Sequence, residues 1–144
     1  LPYFDGERTP NLPEASGSLH GITRANYTPA NLARSAVEAV VCSLADGLRA
    51  LEAQGVQAQR IILAGGGAQS RAVQQIASQI LGLTILLPAL GEYVADGAAR
   101  QAAGVLAGEF PDWAQDTAEL PAMEPAPQIL ERYRALASSQ WLDN

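Results

Sequence analysis

Three consecutive glycines, Gly65, Gly66 and Gly67, stand between a short apolar run and a stretch with helical periodicity. The run before them, 61–64, is apolar without interruption and opens with two isoleucines, which favours a strand covered on both faces of a parallel sheet. Glycine has no side chain and tolerates positive φ, so a ligand can approach the main chain closely at such a loop. The pattern therefore predicts a strand, a backbone loop and a helix that opens at about Ser70.

The glycine loop is compatible with two interpretations. A helix that opens at Ser70 leaves free backbone N–H groups beside the glycines, which suits phosphate or ribose oxygens. Tight turns also collect glycine, so a structural turn is the alternative. No Gly-Lys-Ser/Thr follows the loop, and Ser70 stands where the Gly-x-Gly-x-x-Gly fingerprint requires its last glycine, so neither of these phosphate-binding motifs is present. The residues alone leave both interpretations open.

Composition and charge narrow the class of partner. The chain has 144 residues, enough for one domain, with nine arginines and no lysine against fifteen acidic residues, for a net charge of -6. This balance argues against nucleic acid or an anionic membrane as a partner. A bound polyphosphate would need backbone dipoles, arginines or a metal ion. Because Cys42 is the single cysteine and no window resembles a signal peptide or membrane span, we expect a cytoplasmic protein.

Two helical patterns flank the glycine loop. Thr28 followed by Pro29 predicts the start of a helix that Gly55 ends. After the loop, helical periodicity predicts a second helix that Gly82 ends, and 83–87 predicts a second apolar strand. Strand, helix and strand in this order predict a βαβ unit with parallel strands. The predicted buried faces consist of Val37, Val41, Leu44, Leu48 and Leu51 in the first helix and Val73, Ile76, Ala77 and Ile80 in the second.

Shorter segments complete an α/β fold class. Alternating apolar residues over 17–23 predict a short strand. Prolines and acids over 109–127 predict a surface segment, and apolar spacing over 128–139 predicts a final helix. The whole chain, 1–144, is treated as one domain. Because it opens on leucine rather than methionine, we expect it to be a piece of a larger protein.

A helix predicted over 93–106 is rich in alanine and glycine. Gly97 and Gly104 are seven residues apart and therefore lie on one helical face. Glycine costs about 1 kcal/mol relative to alanine in a helix interior, so these two positions need a reason. Close approach of a neighbouring helix is one interpretation, and close approach of a flat ligand is the other.

No catalytic constellation stands out in the sequence. Glu7, Glu92 and Asp96 are the carboxylates near glycine-bearing turns or the small-residue helix, and such groups are more often caps or solvated charges than bases. Cys42 is interpreted as a small packing residue, since no histidine or cysteine is near it in sequence to activate it. First principles therefore predict an α/β domain with one candidate ligand loop and no assigned reaction.

Residues 17–38, from Gly-Ser-Leu-His-Gly-Ile to Asn-Leu-Ala-Arg-Ser-Ala-Val-Glu, resemble at every defined position the second signature of the FGGY family of carbohydrate kinases. Residues 65–70, Gly-Gly-Gly-Ala-x-Ser, together with Gln75, are similar to its adenosine-binding segment. Residues 6–10 and 92–103 resemble the xylulokinases most. The co-occurrence of these motifs over nearly the whole chain is far more specific than any one of them.

The resemblance implies a fold and a nucleotide site. The implied fold is an actin-like ATPase, or ribonuclease H-like, domain, of which this chain is the later part of the C-terminal, nucleotide-binding domain, incomplete at its N-terminal side. The backbone of the glycine loop is implied to approach the adenosine and α-phosphate of ATP, with a small polar residue after it. The implied ATP-binding residues are Gly65, Gly66, Gly67, Ala68 and Ser70, with Arg71 as the alternative polar position.

The resemblance also implies an activity, namely ATP-dependent phosphorylation of a sugar, D-xylulose. Ribulokinase, gluconokinase or glycerol kinase activity, or a non-catalytic nucleotide-binding module, are the alternatives. The catalytic aspartate, most sugar contacts and the groups that hold Mg²⁺ are implied to lie outside this chain, so we assign no catalytic residue and no metal ligand and expect the chain alone to be inactive. ATP or ADP and a pentulose are the expected partners, and a homodimer is left open.

Overall fold

A computed structural model describes residues 1–113 and 116–141 of the chain, apart from the side chains of residues 140 and 141. The regular structure of these residues consists of helices around a three-stranded sheet. None of the helices combines the length and the apolar character needed to cross a membrane. In chain order the elements are α1 (Pro29–Ala53), β1 (Arg60–Ile62), a short 3-10 helix (Gly66–Gln69), α2 (Arg71–Ile80), β2 (Thr84–Pro88), α3 (Tyr93–Ala107), β3 (Thr117–Glu119) and α4 (Pro127–Trp141).

The sheet has the order β1-β2-β3. β1 and β2 are parallel, with Ile61 opposite Ile85, and the chain between them contains α2, so the predicted βαβ unit is confirmed. β1 is shorter than predicted, and Ile62 is exposed rather than covered on both faces. β3, within the segment 109–127, pairs antiparallel with β2. Its three residues are all exposed, so no apolar alternation marked it as a strand.

Helix α1 begins, and helices α1 and α2 end, at the residues that the sequence predicts. The Thr28 hydroxyl accepts a hydrogen bond from the backbone N–H of Asn31 at 3.2 Å, and Pro29 opens α1. Gly55 and Gly82, just beyond α1 and α2, have φ of +88° and +66°. Residues with a Cβ rarely adopt this conformation, so glycine lets the chain leave each helix there.

The face of α1 that packs against α2 differs from the predicted leucine stripe. Leu44 and Leu51 of that stripe are each 54% exposed, so the prediction is wrong at these two positions. The small side chains of Cys42 and Ala45 are buried beside Val41, in one cluster with Ala77 of α2, which is completely buried. Small residues let two helices approach closely, which leaves the longer leucines outside the contact. The buried residues of α1 are Val41, as predicted, together with Cys42 and Ala45, and those of α2 are, as predicted, Ile76, Ala77 and Ile80.

The N-terminal segment packs against α4 and belongs to the same core cluster. Tyr3 is 1% exposed, and the Tyr133 hydroxyl donates a hydrogen bond to the Tyr3 hydroxyl at 3.1 Å. Arg134 of α4 binds Asp46 of α1 with 2.7 Å between Nε and Oδ1. These contacts join the first residues of the chain, α1 and α4 into one core.

Residues 17–23 do not form the predicted strand. Leu1 and Ser18 exchange two backbone hydrogen bonds, of 2.7 and 3.1 Å, which is a short strand-like pairing. Gly21 then adopts φ of +72°, which turns the chain out of an extended conformation. Alternation alone predicted a strand where a positive φ interrupts it.

The buried thiol of Cys42 is expected to make the protein less stable in alkali. Burial, with a smaller effect of the Glu38 and Asp46 carboxylates, raises the pKa of Cys42 from 9.0 to about 12. Above pH 9 the unfolded chain loses this proton while the folded chain keeps it, so stability falls as pH rises. Between pH 8 and pH 10, we expect the free energy of unfolding of Cys42→Ala to fall by about 1 kcal/mol less than that of the unchanged protein, as measured by urea unfolding. Equal losses in both proteins would contradict the assignment.

Candidate functional site

The glycine loop lies at the carboxyl end of β1. The backbone N–H of Leu63 donates to the carbonyl oxygen of Leu86 at 2.9 Å, which extends the pairing with β2 by one residue. Gly65 then adopts φ of +98°, and the 3-10 helix leads to Ser70, the residue before α2. In parallel sheets the carboxyl ends of neighbouring strands share one edge, and α/β folds bind ligands there.

The three positions of the glycine loop differ in whether the structure requires glycine there. Gly65 needs to lack a side chain because of its positive φ. Gly66 and Gly67 have no such backbone requirement, and a Cβ built on either would meet no other atom within 4 Å. Both are exposed. Since neither packing nor backbone conformation among the described residues requires glycine at these two positions, the exposed main chain leaves room for a bound molecule.

Ala68 anchors the loop on its inner side. Its side chain is buried, and its N–H donates to the carbonyl oxygen of Gly65 at 3.1 Å. Its own carbonyl oxygen accepts a hydrogen bond from the side-chain Nε2 of Gln74 at 2.7 Å. Because Gln74 is the fourth residue of α2, this bond joins the loop to the helix that follows it.

A second wall faces the glycine loop across a cavity of about 350 Å³. We call this cavity the strand-end cleft: residues 63–66 and Gln69 form one side, and residues 88–94 form the other. The second side connects β2 to α3, and the Tyr93 hydroxyl donates to the carbonyl oxygen of Ala89 across its turn. The cleft therefore lies between the turns that follow two parallel strands.

Two of the six predicted ATP-binding residues, Gly65 and Gly66, line the strand-end cleft. Gly67 is exposed on the adjoining turn, and Ala68 points inward as described above. Ser70 and Arg71 are exposed at the start of α2 and do not line the cleft. The Ser70 side chain makes no capping hydrogen bond. The structure thus brings the glycine main chain to the cleft and leaves the two polar side chains beside it.

The far wall of the cleft contains residues that were not predicted to belong to the site. These residues, Leu90, Gly91 and Tyr93, follow β2. The predicted parallel pairing of the two strands could have indicated them, because the turns after neighbouring parallel strands meet at one edge of the sheet. Gln74 had no comparable signal. Which side chain of α2 reaches the loop depends on the geometry of the turn between them, which periodicity does not specify.

The glycines of α3 have different surroundings. A Cβ on Gly104 would lie 2.7 Å from Cδ1 of Phe110, so close packing of that ring explains Gly104. Gly97 has no atom within 4 Å of such a Cβ and lines a second cavity of about 390 Å³. This cavity adjoins the strand-end cleft and shares Ala64 and Tyr93 with it. Among the described residues, it is the Phe110 ring, from the segment after α3, that packs at Gly104 rather than the neighbouring helix that one interpretation expected, while Gly97 keeps the space that a ligand would need.

Two carboxylates lie near the strand-end cleft. Glu92 lines the cleft, and Asp96 follows one turn later in the first turn of α3. Within residues 1–113 and 116–141, no group of three or more His, Cys, Asp or Glu side chains is placed to hold a metal ion. The bare main chain of the glycine loop fits close approach of a nucleotide, and the two carboxylates lie on the opposite side of the cleft.

Comparison by sequence connects this geometry to known proteins. The model of the FGGY family of carbohydrate kinases, C-terminal domain, matches residues 1–105. The chain is 44% identical over 112 residues to a xylulose kinase of Streptomyces rubiginosus, which covers 77% of this chain and 23% of that protein. It is 37% identical over 131 residues to a glycerol kinase of Citrifermentans bemidjiense, which covers 86% of this chain and 26% of that protein.

Comparison by structure agrees. The crystal structure of xylulose kinase from Bifidobacterium adolescentis is similar to 94% of this chain, with a TM-score of 0.78 and 46% sequence identity, and the match covers 27% of that protein. The chain thus spans about a quarter of the length of the relatives that it matches. The actin-like ATPase fold of these neighbours confirms the predicted fold class. With a family model over most of its length and relatives in both sequence and structure, the chain belongs to the FGGY family of carbohydrate kinases.

Proposed function

We propose that the chain supplies the ATP-binding side of a sugar kinase, and that the complete enzyme transfers the γ-phosphoryl group of ATP to a hydroxyl of D-xylulose. The observation that carries this proposal is the strand-end cleft, in which the exposed main chain of Gly66 faces the turn after β2. The xylulose kinases among the relatives support the choice of sugar.

The residues of this chain bind and orient the nucleotide. The main chain of 65–67 approaches the adenosine and α-phosphate, because the absent side chains leave that space empty. Ser70 or Arg71, exposed at the start of α2, supplies a polar contact beside the loop. The turn 88–92 and Tyr93 wall the opposite side of the nucleotide. Since positioning and electrostatics carry most of phosphoryl transfer, this domain contributes to the rate without a reacting side chain.

The remaining chemistry belongs to groups outside this chain. A general base would accept the proton of the sugar hydroxyl, and no described residue is assigned that role. Mg²⁺ would neutralise phosphate charge, and we propose that it is held mainly by residues outside the chain. The chain alone therefore binds nucleotide without turnover. We propose the cytoplasm, where ATP is available, as the location of the complete enzyme.

Glycerol is the alternative acceptor. The glycerol kinase relative is 37% identical and covers 86% of this chain, so the nucleotide side alone is compatible with more than one acceptor. The sugar contacts are implied to lie outside the chain, and the acceptor preference is therefore a property of the complete enzyme.

A coupled ADP-release assay on the complete enzyme that carries this chain tests the acceptor. We expect the kcat/KM for D-xylulose to exceed that for D-ribulose, gluconate and glycerol by at least about tenfold, since a site built for one set of hydroxyls leaves polar groups unpaired with another. A preference for glycerol would replace the sugar assignment and spare the nucleotide site. The 144-residue chain, titrated with ADP by calorimetry, should bind it but release no ADP from ATP. No ADP binding by either protein would contradict the nucleotide proposal.

A further inference from the structure

We propose that Gln74 is a positioning residue for the glycine loop, and that its side-chain amide holds the loop so that the main chain of Gly66 stays turned toward the strand-end cleft. The inference rests on the proposed function, because loop position affects affinity only if a nucleotide binds in the cleft. Gln74 does not itself line the cleft. Its effect on a ligand therefore passes through the loop.

The hydrogen bond of Gln74 is the loop's polar tether to α2. Its Nε2 donates to the carbonyl oxygen of Ala68 at 2.7 Å, at the short end of the range for such bonds, and the pair is partly buried. Among the described residues, the other hydrogen bonds of residues 64–69 close within the loop or with Ser70. Removing the Gln74 amide therefore leaves the buried methyl of Ala68 as the remaining inward anchor of the loop.

The helix that carries Gln74 is itself fixed in the fold. Ala77 of α2 is completely buried against the core. The Ser78 hydroxyl donates to the carbonyl oxygen of Pro121 at 3.2 Å and accepts from the N–H of Met123 at 3.0 Å. Because α2 is held both by apolar packing and by these bonds, Gln74 transfers the rigidity of the core to the loop.

Ordering a glycine-rich loop in advance raises ligand affinity more than ordering another loop does. Glycine loses more conformational freedom on ordering than any other residue, and residues 65–67 are three in a row. A loop ordered before the ligand arrives avoids that entropy loss at binding, which raises affinity. The net contribution of one side-chain hydrogen bond corresponds to about three- to tenfold in affinity.

The first test measures the loop without any nucleotide. Gln74→Leu keeps a similar side-chain volume and removes the donor. We expect the amides of Ala68 and Ser70, which donate to Gly65 and Gly67 within the loop, to exchange hydrogen for deuterium about tenfold faster in this variant. Gln74→Glu, which at neutral pH only accepts hydrogen bonds, should raise exchange at least as much. This second variant is tested by exchange alone, because its charge would itself repel a phosphate.

The second test measures nucleotide affinity. We expect Gln74→Leu to weaken ADP binding by about three- to tenfold in calorimetry, while the thermal unfolding midpoint changes by no more than about 3 °C. Gln128→Leu is the matched control, because it makes the same substitution at an exposed position of α4. In this control both exchange and affinity should match those of the unchanged protein.

The two tests separate this inference from the proposed function. Unchanged exchange in both Gln74 variants would overturn the tether, even if the unchanged protein binds ADP. Faster exchange with unchanged ADP affinity would show a tether without a positioning role and would also overturn the inference. Absence of ADP binding in the unchanged protein, both as the 144-residue chain and within the complete enzyme, would overturn the proposed function and the positioning role together, while the exchange result would still show whether the tether exists.

Discussion

Replacing Gly66 by valine is expected to weaken ADP binding by about ten- to a hundredfold while leaving the fold intact. A Cβ at this position meets no other atom within 4 Å and the residue is exposed, so we expect the free protein to accept the branched side chain. The same side chain would occupy the space from which a nucleotide reaches the main chain, and overpacking of this kind costs about 1–3 kcal/mol. Calorimetric titration with ADP measures the loss of affinity, and thermal unfolding checks the fold.

Gly47→Val is the matched control for this prediction. Gly47 lies in α1, has no positive φ, and a Cβ built on it also meets no atom within 4 Å. It lies outside the strand-end cleft, so its replacement should leave ADP affinity unchanged. Equal ADP affinity in Gly66→Val and in the unchanged protein would remove the glycine loop from the binding site, whereas equal losses in both variants would indicate a general effect of valine on stability.

Gly6→Ala is expected to lower the free energy of unfolding by about 3 kcal/mol, because a side chain there would be strained and would clash with the backbone. Gly6 has φ of +79°, and a Cβ on it would lie 2.6 Å from the carbonyl oxygen of Pro13, which is backbone and cannot rotate away. Its N–H also donates to the carbonyl oxygen of Ala15 at 3.1 Å, so a shift of the chain would break this bond. Urea unfolding at neutral pH measures the change in the free energy of unfolding.

Gly55→Ala separates the cost of the backbone conformation from the cost of the clash. Gly55 has a similar φ of +88°, but a Cβ there meets no atom within 4 Å. We expect this control to lose only about 1 kcal/mol, from the left-handed conformation alone. If the two alanine variants lose the same free energy of unfolding, the contact with Pro13 contributes nothing and the prediction is wrong.

Local chemistry predicted the elements whose ends depend on a single residue. The hydroxyl of Thr28 and the positive φ of Gly55 and Gly82 act within a few residues of the chain, so these helix ends were predictable. The parallel pairing of β1 and β2 also followed, because a strand, helix and strand in sequence have few ways to pack. β3 was not predictable, since its exposed residues pair with β2 only after the fold brings them together.

Packing predictions failed where side-chain size competed with hydrophobicity. The leucines of α1 match helical periodicity better than its small residues do, yet Cys42 and Ala45 are buried and Leu44 is half exposed. Periodicity identifies an apolar stripe, but how closely a second helix approaches decides which side of the stripe is buried.

The glycine loop shows the same division at the proposed nucleotide site. From the sequence alone it was a backbone loop between a strand and a helix, with a ligand and a structural turn both open, and the family resemblance added adenosine. The three-dimensional structure decided that Gly65 needs glycine for its φ, whereas Gly66 and Gly67 leave open space. The structure also showed that residues 88–94 form the opposite wall of the cleft and that Gln74 donates a hydrogen bond to Ala68. Backbone conformation depends on a few neighbouring residues, so the sequence by itself predicts it. A cleft forms only when two turns that are distant in sequence meet, and the parallel sheet brings them to one edge.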